Sequence, residues 1–327
     1  MENEINDRMM RNSPIQIDEL RGVYTALITP MLPGNGLSNP IDYQKLFRLI
    51  DDQACAGVSG VVIAGTTGQS STLSMKEHAE LALKSFRYVK ANHPNLQFIV
   101  GSGSNCTREA IDLSFEIEEA IGHSTFLHVT GYYNNPPQEG LIEHYERLAA
   151  CLPHSNIILY NVPGRTGSNI EARTVVELSK IANIVGIKEA SGNLEAVDRV
   201  VSETDREKFV VLSGEDDIID QIFLLGGRGV ISASANIAPK YFVQITNAGL
   251  AGEFIEVRRL QEDINRLVRQ GVFYRKNPIP LAHMFDTELR LPLVKLPDIE
   301  PHLEEVLSYY SPEELGIDLR NYRREEI

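Results

Sequence analysis

Short apolar runs recur along the chain, each followed by a longer stretch in which apolar positions return every three or four residues. The runs are Val23 to Thr29, Gly60 to Ile63, Gln97 to Gly101, Thr125 to Val129, Asn156 to Tyr160, Ile184 to Lys188, Phe209 to Ser213 and Gly229 to Ser232. Runs this short and this apolar predict strands buried on both faces, and the stretches between them predict amphipathic helices. Ser74 with Glu77 three residues later is a capping box, and Ala79, Ala82, Leu83, Phe86 and Val89 follow on one helical face. Eight βα units most simply close into a parallel (β/α)8 (TIM) barrel, with a doubly wound open sheet as the alternative. Beyond Asn236 the strand pattern stops, and Tyr241 to Gly249, Glu253 to Gly271 and Ile279 to Thr287 predict further helices. The division expected is a polar extension over 1–20, a barrel over 21–236 and a C-terminal helical region over 237–327, with Asn321 to Ile327 a frayed tail.

Composition narrows the function classes. Hydrophobic residues make up 43% and charged residues 23% of the 327 residues, the mix of a folded globular chain. No run approaches the roughly 20 apolar residues of a membrane helix, and Met1 to Asp18 lacks an apolar signal core. Cys55, Cys106 and Cys151 are too few and too scattered for a disulfide framework, which predicts free thiols and a cytoplasmic protein. A formal charge of −14 argues against nucleic acid and anionic membranes as partners. It also means that a carboxylate substrate needs a local arginine or a cluster of backbone N–H groups to hold it.

In a barrel of this kind the chemistry sits where strands end at their C-terminal edge, so the polar residues that stop the apolar runs are the candidates. The sixth run ends in Lys188. Most lysines are solvated surface charges, but one at the end of a buried strand is taken out of water and can supply a neutral amine to attack a carbonyl. The fifth run ends in Tyr160, followed by Asn161-Val162-Pro163-Gly164-Arg165-Thr166-Gly167. Beside such a lysine a tyrosine hydroxyl can move the protons that imine formation requires, although strand-end tyrosines are often only rim aromatics. Gly65-Thr66-Thr67-Gly68-Gln69-Ser70 lacks the lysine of a phosphate loop and offers hydroxyls and N–H groups to a carboxylate. Gly226-Gly227-Arg228-Gly229 precedes the eighth run and is expected to be a structural turn on the opposite face. The histidines have no zinc-like spacing and no nicotinamide fingerprint is present, so neither a metal nor a cofactor is expected.

The motifs GTTGQS, GYYNNPPQEG, YNVPGRTG, GIKEASGN, LSGEDD and GGRGVISASAN occur in this order between about Gly22 and Pro297. Together they resemble the 4-hydroxy-tetrahydrodipicolinate synthase (dihydrodipicolinate synthase) family, within the superfamily of class I pyruvate aldolases. The resemblance implies a cytoplasmic homotetramer, a dimer of dimers, that condenses pyruvate with L-aspartate 4-semialdehyde in lysine and diaminopimelate biosynthesis without a cofactor. It implies Lys188 as the Schiff-base lysine, Tyr160 as the general acid/base, and Thr66 as a proton relay to Tyr133, which reaches in from a neighbouring subunit. It further implies Thr67 and the backbone of Ile231 as pyruvate contacts and Arg165 as the anchor of the semialdehyde carboxylate.

Two positions depart from the family pattern: Gln69 replaces a usual glutamate, and Gly131 replaces a proline, which is expected to loosen the loop that aims Tyr133. Ser70, His78, Asn105, Glu109 and Tyr132 match a pocket that binds feedback lysine in many members; Met75 and Ser71 depart from it, and packing residues of an insensitive enzyme are the alternative. Rival readings are another pyruvate aldolase, such as an N-acetylneuraminate lyase or a 2-keto-3-deoxy sugar-acid aldolase, and a catalytically silent barrel that binds oxo acids. Arg165 favours a substrate ending in carboxylate over a polyol.

Overall fold

The computed structural model describes residues 11–323. Eight parallel strands close into one barrel: β1 (Gly22–Ala26), β2 (Gly60–Ile63), β3 (Gln97–Gly101), β4 (Thr125–Val129), β5 (Asn156–Asn161), β6 (Ile184–Glu189), β7 (Val210–Ser213) and β8 (Gly229–Ser232). The circle is completed where β1 pairs β8, with Val23 opposite Val230. Helices lie between the strands, among them Tyr43–Ala56, Met75–Asn92, Thr107–Ile121, Gln138–Cys151 and Leu194–Glu203, and among the described residues four more α-helices of six residues or longer follow β8: Pro239–Leu250, Phe254–Arg266, Ile279–Met284 and Glu300–Leu307. The expected TIM barrel with additional C-terminal helices is therefore the observed fold.

Strand alternation divides the core into two shells. Tyr24, Val62, Ile99, Leu127, Ile158, Tyr160, Leu212 and Ile231 fill the barrel interior, whereas their strand neighbours Val23, Val61, Ile63, Val100, Leu159, Ile187, Val211 and Val230 pack outward under the helices. The capping box holds, with the Ser74 hydroxyl accepting from Glu77 N–H while the Glu77 carboxylate accepts from Ser74 N–H.

Several boundaries differ from the periodicity reading. The first strand stops at Ala26 because the backbone turns away: Ile28 N–H donates to the Asn236 side chain at 3.0 Å. The stretch Glu253 to Gly271 is not one α-helix, since Phe254–Arg266 gives way to a π-helical turn over Leu267–Val272. Nor is the C-terminal end frayed as far as Tyr322, whose ring is buried against Phe285 and whose hydroxyl donates to Asp52 at 2.6 Å. Residues 324–327 lie outside the described residues.

The polar lead also has a place in the fold from residue 11 onward. It crosses the N-terminal face of the barrel, with Asn12 N–H bonded to Ile121 O at 2.7 Å and Ile15 N–H to Thr125 Oγ1 at 2.9 Å. Asn156 Nδ2 donates to Ile15 O at 2.8 Å, and the Ile15 and Leu20 side chains join the interior cluster with Tyr24. This segment closes the end of the barrel opposite the strand termini that carry the candidate chemistry.

Candidate active site

Register and alternation place the two central candidates side by side. Tyr160 is the Cα partner of Lys188 across β5 and β6, and their predecessors Leu159 and Ile187 point outward. Both side chains therefore project into the barrel at its C-terminal mouth, on strands spaced about 4.8 Å apart. Lys188 Nζ lies 4.4 Å from the Tyr160 ring centroid, and the residues are 7% and 6% exposed. Tyr160 is thus not a wetted rim aromatic.

A small cavity of about 50 Å³ surrounds this pair, lined by Thr66 and Thr67 from the β2 loop, Arg165, Glu215 and Ala233 from other strand ends, and Phe273 and Asn277 from the C-terminal region. The β2 loop is shaped by close approach. A Cβ on Gly68 would sit 3.1 Å from Leu27 O, and Gln69 takes a left-handed conformation with φ +57. Gln69 Oε1 accepts from Arg290 N–H at 3.0 Å. The buried Arg290 guanidinium also donates to Thr72 O, Asn39 O and both Glu77 oxygens. That ion pair and hydrogen bonding hold the Glu77 carboxyl down at about 2. The glutamine found in place of the family glutamate therefore belongs to a clamp between the threonine loop and the C-terminal region.

Arg165 stands on the one-turn helix Pro163–Thr166, exposed at the mouth, with Nη2 donating to Asn277 O at 3.2 Å. Ile231 is fully buried in the interior shell, so only its main chain is available to a ligand, while its near neighbour Ala233 lines the cavity. Tyr133 is not brought to Lys188 within the chain: it is 92% exposed, with φ +71 and its N–H bonded to Thr166 O at 3.2 Å. Its loop is more constrained than Gly131 suggests. Thr130 N–H donates to Tyr160 O at 3.0 Å, and a Cβ on Gly131 would already crowd Pro136 Cγ at 3.2 Å.

The loop after β7 brings acidic groups to one side of the site. Burial, aided by the charges of Asp216 and Asp217, pushes the Glu215 carboxyl up to about 7, against the opposing pull of Lys188 and Arg165. Asp216 is fully buried, which raises its pKa, and its Oδ2 accepts from Ala233 N–H and Ser234 N–H at 3.1 and 2.7 Å. These bonds fix the loop that leaves β8. Sequence reasoning named the LSGEDD motif without assigning its carboxylates, and it missed Phe273 and Asn277 because they lie beyond the last strand. The only available signal for Asn277 was the polar Lys276-Asn277 step ahead of the apolar Pro278-Ile279-Pro280 run.

A second cavity of about 580 Å³ adjoins the first through Thr66, Val162 and Arg165. It is lined by Ser70, Ser71, Met75, His78, Ser104, Glu109 and Tyr132, so four of the five residues matched to the lysine pocket share one cleft. Asn105 is not among the lining residues; its side chain donates to Asn134 Oδ1 at 3.3 Å. His78 is buried, which lowers its pKa to about 4, and its Nε2 bonds Gly101 O at 2.6 Å. Glu109 accepts from Ser104 Oγ at 2.8 Å and is exposed.

Comparisons with known proteins agree with this architecture. A 4-hydroxy-tetrahydrodipicolinate synthase from Methanocaldococcus jannaschii is 40% identical over 283 residues, covering 84% of this chain and 93% of the relative. The crystal structure of a chloride-inhibited dihydrodipicolinate synthase from Acinetobacter baumannii complexed with pyruvate superposes with a TM-score of 0.81 at 35% identity, covering 91% and 100%. That of the enzyme from Cyanidioschyzon merolae with lysine bound gives 0.81 at 31% identity, covering 89% and 98%. The model of the dihydrodipicolinate synthetase family matches residues 19–298, and the chain belongs to that family.

Proposed function

We propose that this chain is a 4-hydroxy-tetrahydrodipicolinate synthase, a Schiff-base-forming lyase that condenses pyruvate with L-aspartate 4-semialdehyde in lysine and diaminopimelate biosynthesis. The observation that carries the reading is the in-register pair Tyr160 and Lys188, both turned inward beside Thr66, Thr67 and Arg165, in a member of this family. Lys188 attacks the pyruvate ketone, and loss of water leaves an iminium, an electron sink that lets the methyl group release a proton to form an enamine. Tyr160 is the group placed to move these protons, its ring lying against the amine, with Thr66 lining the same cavity as the relay. The enamine carbon attacks the aldehyde. The semialdehyde's own amine then displaces Lys188 by transimination, which closes the ring and frees the lysine. Thr67 and the Ile231 backbone hold the pyruvate carboxylate in this reading, and Arg165 at the mouth takes the carboxylate of the second substrate.

The proposal extends to assembly. Tyr133 projects from the chain, fixed by its main-chain bond to Thr166 and by left-handed backbone, which suits a side chain that completes a neighbour's site in a homotetramer. Leu224, Leu250, Phe254 and Ile255 are exposed on successive helices after β7, an apolar surface of the kind subunits cover. No helix among the described residues is long and apolar enough to cross a membrane. Three unpaired thiols, Cys55, Cys106 and Cys151, suit a reducing cytoplasm.

A coupled assay with pyruvate and L-aspartate 4-semialdehyde tests the activity directly. Turnover that requires both substrates supports it; turnover with a sugar acid and none with the semialdehyde would replace it with the related aldolase reading.

A further inference from the structure

The C-terminal region sends one polar side chain between the two halves of the site. Asn277 is 4% exposed and lines the small cavity with Lys188 and Tyr160. Its Nδ2 donates to Thr67 Oγ1 at 3.0 Å, and its main-chain oxygen accepts from Arg165 Nη2 at 3.2 Å. A threonine hydroxyl has one proton to give and two lone pairs to offer. With one lone pair occupied by the amide N–H, the Thr67 proton is left free for an acceptor in the cavity. The guanidinium, in turn, is tethered through one nitrogen and keeps its other N–H groups for a ligand at the mouth.

We propose that Asn277 is a positioning residue that acts on both substrate anchors, its side chain setting Thr67 as a hydrogen-bond donor to the pyruvate carboxylate and its main chain holding Arg165 for the second substrate. The inference rests on the functional reading of Thr67 and Arg165 given above. Buried Asn277 Oδ1 has no protein partner. The amide is thus retained for what its N–H does, because the opposite orientation would instead leave the N–H orphaned at nearly complete burial.

This division makes the two substrates separable. Asn277→Asp replaces the donor with acceptors only, so the Thr67 proton turns toward residue 277 and away from pyruvate. Asn277→Ala removes the N–H and leaves the hydroxyl undirected. Neither change deletes the main-chain oxygen that holds Arg165.

The experiment measures the pyruvate concentration for half-maximal borohydride-trapped adduct, together with the KM for the semialdehyde. Each is read in the unaltered enzyme, in Asn277→Asp, in Asn277→Ala, and in both variants combined with Thr67→Val. Losing a hydrogen bond to a charged group predicts a pyruvate half-saturation raised roughly tenfold or more in Asn277→Asp and less in Asn277→Ala. The semialdehyde KM stays within about twofold, and on a Thr67→Val background the Asn277 effect disappears. The Ala variant keeps the test open if the Asp variant does not fold. A pyruvate half-saturation unchanged in the folded variants, or an effect undiminished without the Thr67 hydroxyl, overturns the proposal while leaving the synthase reading intact. A purely structural Asn277 would move both substrates together, which overturns it too. No adduct in the unaltered enzyme would instead remove the reading on which it stands.

Discussion

Leu20→Ala probes a segment whose sequence and structure point in opposite directions. Leu20 lies in a polar lead, yet its side chain is 0% exposed within the interior shell alongside Ile15, Tyr24 and the strand residues. Truncating a fully buried leucine costs about 3 kcal/mol, within a usual span of about 2 to 5, because transfer free energy is lost and a cavity is left. For a chain of this size each kcal/mol lowers the melting temperature by about 2 °C, so a drop of roughly 6 °C is expected. Deleting residues 11–20 is the less informative perturbation. It removes the same burial and the bonds to Thr125, Asn156 and Ile121, but it also removes the cost of ordering ten residues at about 1 to 2 kcal/mol each, so its effect mixes opposing terms. Melting followed by circular dichroism measures the effect, and pyruvate adduct formation at 25 °C serves as the control. The plug closes the face opposite Lys188, so the adduct should form at the unaltered rate. A melting temperature within about 1 °C of the parent, or loss of the adduct in folded protein, would refute the reasoning.

Three further expectations follow from the site. Glu215 titrates near 4.5 in an unfolded chain and at about 7 in the folded one, so between these values the folded state keeps a proton that the unfolded state has lost. Its contribution is present below pH 4.5 and is lost as pH rises through 7; Glu215→Gln should therefore gain melting temperature over the parent at pH 8 but not at pH 5, and equal differences at both would contradict the assignment. Arg165→Ala should raise the KM for the semialdehyde at least tenfold more than that for pyruvate, and equal effects would defeat its role as the second anchor. If the larger cavity binds feedback lysine, calorimetric titration of L-lysine should show heat that Glu109→Ala abolishes; no heat together with unchanged rates would make its lining plain packing.

The legible parts of this protein are those where local pattern and tertiary position agree. Lys188 and Tyr160 end apolar runs, and strict alternation along β5 and β6 turns both inward, so run endings alone pointed to the pair proposed as catalytic. The capping box at Ser74 was readable because both its bonds are local. Asn277 was not, since its two partners lie 210 and 112 residues away and no local spacing encodes them. The lead from residue 11 onward was hidden for a related reason: its polar groups bond the strands of a closed barrel, and two apolar side chains among them show no periodicity. Tyr322 escaped notice because the charged residues after it mask one buried ring.

The central claim is that Lys188 is the nucleophile, and intact-mass measurement after borohydride reduction in the presence of pyruvate tests it most directly. The unaltered protein should gain one reduced pyruvate per chain, while Lys188→Ala and Lys188→Arg, shown folded by circular dichroism, should gain none, because neither side chain supplies a neutral amine. An undiminished adduct in either variant, or no adduct in the unaltered protein, would contradict the account.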